Sequence, residues 1–237
     1  MPVDEAATRS AYDLLSVSTA SKQGYGIADN AFISQADARI GSSSQSTSTR
    51  PEYIRALTGT AGHKVTIRLI GGSKVSFDAN GCVTVAINEL YGHKWNRVYF
   101  DVDALAIRIV QQVEASSPWR KSVSKWAHCM RINYNVAFAS PRAARAQVEN
   151  TVSSAIENIP QRTAARRLKA VRMAEVRLAR QDATCEARVG LAAVAQAAQR
   201  RAQVSVERRY SMEMHVYATE FAHAVRIANA LLGRSGA

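Results

Sequence analysis

Beyond Pro141 the chain meets one further proline, Pro160, and one glycine, Gly190, before Gly233 near its end. Alanine- and arginine-rich runs without breakers favour the α-helix, because these side chains lose little freedom there and every backbone group is paired. Residues 143–159 and 161–210 therefore read as helices, the second unusually long, with Gly190 its weak point. Tyr210, Met214, Tyr217, Phe221, Val225, Ala228 and Leu232 then step by three or four, an apolar stripe on a last helix that Gly233 stops. An antiparallel helical hairpin, or a coiled-coil-like arm, is the packing expected of these segments.

Ahead of Pro141 the period changes. Over residues 63–70, Val65, Ile67 and Leu69 alternate with Lys64, Thr66 and Arg68, as on a half-buried strand. Glycines 71 and 72 signal a turn, and Val75 and Phe77 alternate again. Asn80 followed by Gly81 is a strong hairpin signal, with Val83, Val85 and Ile87 as the next strand and residues 97–100 as another. Asp101 and Asp103 open a helix over residues 104–113, with Val102, Leu105, Ile109 and Val113 on the side that covers the sheet. Ile132, Tyr134, Val136 and Phe138 alternate as in one more strand.

The expected fold class is α+β: a small antiparallel β-meander packed with a helix, followed by the long helical region. Three parts are read. Residues 1–60 hold an N-terminal helix, capped by Asp4 and running through Tyr12, Leu14 and Leu15, then a Ser/Thr-rich flexible tract at 41–49. Residues 61–140 form the α+β body. Residues 141–237 are the basic helical region.

Charge is the unusual part of the composition. Lys+Arg 31 against Asp+Glu 19 gives +12, to which the first sixty residues contribute nothing positive. A field of that sign favours polyanions: nucleic acid, acidic lipid or an acidic protein face. Cys82, Cys129 and Cys185 are odd in number and far apart, so neither a disulfide framework nor a zinc site is expected. No stretch approaches the roughly 20 apolar residues of a membrane span, and the N-terminus lacks the pattern of a secretory signal. The expectation is a soluble, cytoplasmic chain made for a reducing compartment.

The stretch 161–189 is the most informative. At about 100° per residue, Arg162, Arg166, Lys169, Arg177, Arg180 and Arg188 fall within one arc of a helix. Leu168, Val171, Ala174, Leu178, Cys185 and Val189 lie opposite, with Glu175, Asp182 and Glu186 at the edge of that apolar side. A self-bridging helix sets acids four residues before bases, whereas here the basic face has no partners of its own. Arginine's planar fork suits phosphate and keeps its charge. The plain alternative is a solvated face or a protein contact, which the same composition also produces.

Trp119, Arg120, Lys121, Lys125 and Trp126 form a second cluster, in which rings among cations suit base stacking with phosphate contact. Trp119 and Trp126 lie seven apart and equally suit a buried anchor. Asp101 and Asp103 resemble a metal-binding pair in spacing, but helix-start acids explain them without chemistry. The five histidines show no ligand spacing, and no nucleophile or phosphate-loop signature occurs. Neither a cofactor nor a metal is implied, and a non-enzymatic role is expected.

Three function classes remain. The first is a basic, nucleic-acid-associated protein (DNA or RNA) that uses the arginine-rich helix face for phosphate contacts. The second is a structural or assembly protein, scaffold or viral-particle type, that oligomerises through its long helices or meets an acidic partner. The third is a protein-binding inhibitor or regulator.

Overall fold

The computed structural model describes residues 9, 11–41, 50–70, 72–157 and 161–234. The Asp4 cap, the Ser/Thr-rich tract from 42 to 49 and Pro160 lie outside the described residues. Among those described are ten helices and a two-stranded antiparallel sheet, an α+β composition dominated by helix. In chain order they are α1 (Val17–Gln23), α2 (Ile27–Gly41), α3 (Pro51–Thr58), β1 (Lys64–Arg68), β2 (Lys74–Asp78), α4 (Cys82–Tyr91) and α5 (Trp95–Ala115). Then follow α6 (Ser117–Tyr134), α7 (Pro141–Ile156), α8 (Gln161–Val189), α9 (Leu191–Arg209) and α10 (Ser211–Arg234). The chain divides into two compact units, the first comprising Met1–Ile40 and Val110–Ala202, the second Gly41–Ile109 and Gln203–Ala237.

In the first unit α8 is the helix around which the others gather, packing against α7, α1 and α6. Its inward stripe runs through Ala164, Leu168, Glu175, Ala179, Asp182, Ala183, Cys185 and Glu186, all buried, at the three-and-four spacing of a helix buried along one side. Ala20, Tyr25 and Ala28 meet that stripe from one side, and Val148 and Val152 of α7 from another. Local chemistry sets the boundaries. Ser16 caps α1 by accepting the Thr19 N–H at 3.0 Å, and Ser140 caps α7 through Ala143 at 3.2 Å with Pro141 in the first turn. The long helix expected over 161–210 breaks at Gly190, where φ is +65°, and the next helix begins just after Tyr210, close to where it was expected.

In the second unit the alternation over 64–78 makes a hairpin, and nothing beyond it joins the sheet among the described residues. Val65 pairs with Phe77 and Ile67 with Val75, so the apolar residues share one face. On the other face the Thr66 and Ser76 hydroxyls are 2.8 Å apart.

The remaining strands of the expected meander are helical. Residues 82–91 form α4, whose covered side is Thr84, Ile87, Asn88 and Tyr91, while Val83 and Val85 are exposed. Two periods coexist in that short run, and packing chose the helical one. Asn80 and Gly81 serve no hairpin. Gly81 is the N-cap of α4, and a Cβ there would lie 2.5 Å from the Thr58 carbonyl carbon, so only glycine allows α4 to begin so close to the end of α3.

Residues 97–100 belong to α5, which begins six residues before Asp101; Val98, Asp101, Leu105 and Val113 are its buried residues. Residues 131–134 end α6, and the chain is irregular from Asn135 to Phe138. Of Tyr12, Leu14 and Leu15, expected on a helix, Tyr12 lies in a turn and the two leucines in irregular chain, with Tyr12 and Leu14 buried and Tyr12 set 5.3 Å from the Trp119 ring.

The cysteine expectation is also corrected. Cys129 of α6 and Cys185 of α8 are joined by a disulfide, their Cα atoms 5.8 Å apart, and Cys82 is free and exposed. Fifty-six residues separate the two in sequence, so spacing held no sign of it. The pairing arises because each lies on the buried face of its helix and the two helices pack there.

Candidate nucleic-acid interface

The three acids of α8 are buried, 2%, 0% and 2% exposed at Glu175, Asp182 and Glu186, rather than lying at an edge. Buried carboxylates need donors, and each has them. Glu175 accepts the backbone N–H groups of Ile27 at 2.8 Å and Ala28 at 2.9 Å, so a side chain 148 positions away caps α2. The chain reaches that cap through Gly24, at φ +63°, where a Cβ would sit 3.0 Å from Glu175 Cγ. Asp182 accepts the Tyr25 hydroxyl at 2.7 Å and the Trp126 indole N–H at 2.8 Å. Glu186 accepts the Leu15 N–H at 3.0 Å, and its other oxygen receives no donor among the described residues.

That unmatched oxygen has a simple resolution. Burial, reinforced by the Asp182 charge, raises the Glu186 carboxyl to about 9, so it stays protonated and donates to Asp182. Burial also raises Asp182, to about 6, against the pull of its own donors, and pushes the Tyr25 phenol far above its ordinary value. An acid raised in the folded state stabilises fully below its unfolded value and loses that contribution as pH climbs through the folded one. For Glu186 the window runs from its ordinary 4.5 to about 9. Glu186→Gln, which keeps an acceptor for Leu15 and a donor for Asp182, is therefore expected to raise stability at pH 7 by about 1–3 kcal/mol. Chemical denaturation across pH checks this: the advantage should shrink toward zero near pH 4.5, and a pH-independent difference would refute the assignment.

With its acids turned inward, α8 shows solvent only positive charge. Arg166, Lys169, Arg177, Arg180 and Arg188 are exposed, and among the described residues none forms an ion pair. Arg162 lies in the first turn of α8, and its side chain is outside the described residues. Arg172, outside the expected arc, is held by Asp29. The α7 arginines behave differently: Arg142 bridges Asp13 and Glu114, both at 3.1 Å, and Arg145 bridges Asp13 and Glu149 at 3.8 and 3.2 Å. Those are fold contacts, and sequence alone does not separate them from the unpaired set.

From Arg166 to Arg188 the stripe extends roughly 33 Å along the helix at 1.5 Å per residue. Two open grooves border it. One, of about 540 Å³, is lined by Arg177 and Arg180 with Ser21, Tyr134, Met173 and Thr184. The other, of about 500 Å³, is lined by Arg166, Lys169 and Arg172 with Phe32 and Asp29. Arg188 lies apart from both, with Nη1 3.9 Å from the Cys129 sulfur.

The second cluster divides. Arg120, Lys121 and Lys125 are exposed on α6, but Trp119 and Trp126 are 7% and 0% exposed, so neither ring is open to a base. Trp126 is the Asp182 donor, a buried anchor. The α6 residue bordering the basic groove is Tyr134, which the sequence reading placed on a strand. Asp101 and Asp103 do not converge: Asp103 is exposed, while buried Asp101 accepts the Ile70 N–H at 2.9 Å and lies 3.7 Å from Arg97.

Compared with known proteins, the chain matches no family model, no curated protein and no solved structure. No helix among the described residues is long and apolar enough to cross a membrane.

Proposed function

We propose that this is a non-enzymatic, nucleic-acid-associated protein that contacts phosphates along the outward face of α8. One observation supports the reading above others: every acid of that helix is buried, and five of its exposed bases have no acidic partner among the described residues. Opposite charges left on one helix surface neutralise each other, whereas acids turned inward leave a single-signed stripe for an external polyanion. Arg166, Lys169, Arg177 and Arg180 carry the contact, with Arg188 extending it along the helix, Arg162 preceding it in sequence, and Arg120, Lys121 and Lys125 as outlying cations.

Fluorescence anisotropy with labelled single-stranded DNA, duplex DNA and RNA tests the reading. Affinity is expected to fall steeply with salt, and the triple variant Arg166→Glu, Arg177→Glu, Arg180→Glu to bind about a hundredfold less tightly, with a salt slope shallower by about 2–3. Equal binding by the variant would remove α8 from the interface.

Exposed apolar side chains on α10, Met212 at 76%, Phe221 at 49%, Val225 at 43% and Leu232 at 71%, support a second reading. In it the long helices pair between copies, as a coiled-coil-like arm would, and the protein is an assembly component. That reading requires a stable oligomer in the absence of nucleic acid, which light scattering over the micromolar range detects.

A further inference from the structure

We propose that the groove beside Arg177 and Arg180 takes one nucleotide of a single strand, its phosphate on the two arginines and its unpaired base against Tyr134 and Met173. This rests on nucleic acid as the ligand of α8 and specifies the form of it that the groove fits.

Charge names the anionic part. Ser21 of α1, Tyr134 of α6 and residues of α8 line the groove, and none of these helices turns an acid toward solvent. α1 and α6 contain no acidic residue, and the three acids of α8 are buried. Lys22 of α1 and Arg131 of α6 are exposed, as are Arg177 and Arg180, and among the described residues none of the four forms an ion pair. Arg177 and Arg180 lie about one turn apart on α8, where like charges repel. A phosphate between the two guanidinium forks relieves that repulsion and accepts from both. The second groove along α8 is different, because Asp29 lines it and already holds Arg172.

The rest of the lining calls for something flat and weakly polar. Tyr134, Met173 and Val176 form its apolar part, with Met173 70% exposed and Tyr134 half-buried. Among the described residues no other ring and no cation contacts the Tyr134 ring, so its stacking surface is not used within the fold. Ser21 and Thr184 donate their hydroxyl protons to carbonyls of their own helices, each at 2.7 Å. The Gln181 amide and the Tyr134 hydroxyl have no hydrogen-bond partner among the described residues and suit the polar edge of a base. At about 540 Å³ the groove has the size of a small-ligand site. An unpaired nucleotide supplies both an anion and a ring, whereas a duplex keeps its bases stacked inside and offers its phosphates alone.

Anisotropy with a labelled oligothymidylate of about ten nucleotides, and with a duplex of equal length, tests the assignment. Tyr134→Ala, at the last residue of α6, should bind the single strand about tenfold less tightly and the duplex as before, and Tyr134→Phe should restore most of the loss. Position is read on the unaltered protein: irradiation of an oligothymidylate carrying a photoreactive thiothymidine should cross-link the base to Tyr134 or Met173. Poly-glutamate, an anion without bases, is the competitor and should displace the oligothymidylate poorly.

Full single-strand affinity in Tyr134→Ala, with cross-links elsewhere, would overturn the groove, and the α8 reading would still stand if charge reversal on α8 abolished binding. An equal loss of single strand and duplex in Tyr134→Ala would also overturn it, by giving the ring a structural role only. Displacement by poly-glutamate at matched charge would overturn it in favour of an acidic protein partner. Binding of neither nucleic acid would overturn this site and the α8 reading together.

Discussion

Removing the Cys129–Cys185 bridge, by reduction or by the pair Cys129→Ala, Cys185→Ala, is expected to lower stability by about 4 kcal/mol. The figure follows from the length of chain the bridge closes. The two residues are 56 apart, and a cross-link that long removes much of the conformational freedom of the unfolded chain. The bridge joins α6 to α8 beside Trp126 and Met130, both fully buried, so it restrains the two helices where the first unit's core is tightest. Urea unfolding with and without reductant measures it. An unchanged midpoint, with Cys129 and Cys185 already reactive to an alkylating agent in the folded protein, would show that the sulfurs are not joined. Cys82 serves as the internal control, being free and exposed in either case.

Asp182→Ala should cost a comparable amount, roughly 3–5 kcal/mol. Truncation leaves the Tyr25 hydroxyl and the Trp126 indole N–H buried with no acceptor, and opens a void in a site with no measurable exposure. The protonated Glu186 also loses Asp182 as the acceptor for its proton, which adds to the loss. Asp182→Asn keeps one acceptor and should lie between the wild type and Ala. Tyr25→Phe removes one donor along with its demand for an acceptor, so it should be milder than Asp182→Ala, and the double variant Tyr25→Phe, Asp182→Ala should be less destabilised than the separate effects predict. A loss below about 1 kcal/mol for Asp182→Ala would mean that water reaches the site and replaces the carboxylate.

The same residues explain how much was legible beforehand. Helical regions beyond Pro141 were readable because alanine, arginine and spacing agree there, and the boundary at Ser140 and Pro141 was readable because capping is local chemistry. The hairpin over residues 64–78 was readable because its alternation also satisfies the cross-strand pairing. Residues 82–91 were misread because ten residues hold both periods, and the choice came from what packs against Thr84 and Ile87. Trp119 and Trp126 were weighed between stacking and burial, and only their neighbours, Tyr12 and Asp182, decided for burial.

By itself, then, the sequence determined the helical character of the second half, the hairpin, the excess of positive charge and the arc on which the α8 bases lie. Each depends on neighbours along the chain or on a simple count, and short-range rules suffice for that. Tertiary structure alone decided which charges are spoken for. Glu175, Asp182 and Glu186 turn inward because donors from Ile27, Ala28, Tyr25, Trp126 and Leu15, far away in sequence, converge on one helix face. Arg142 and Arg145 are paired, and Arg177 and Arg180 have no acidic partner among the described residues, for the same reason. The cost of burying a charge depends on what surrounds it in three dimensions, and helical spacing carries no record of that.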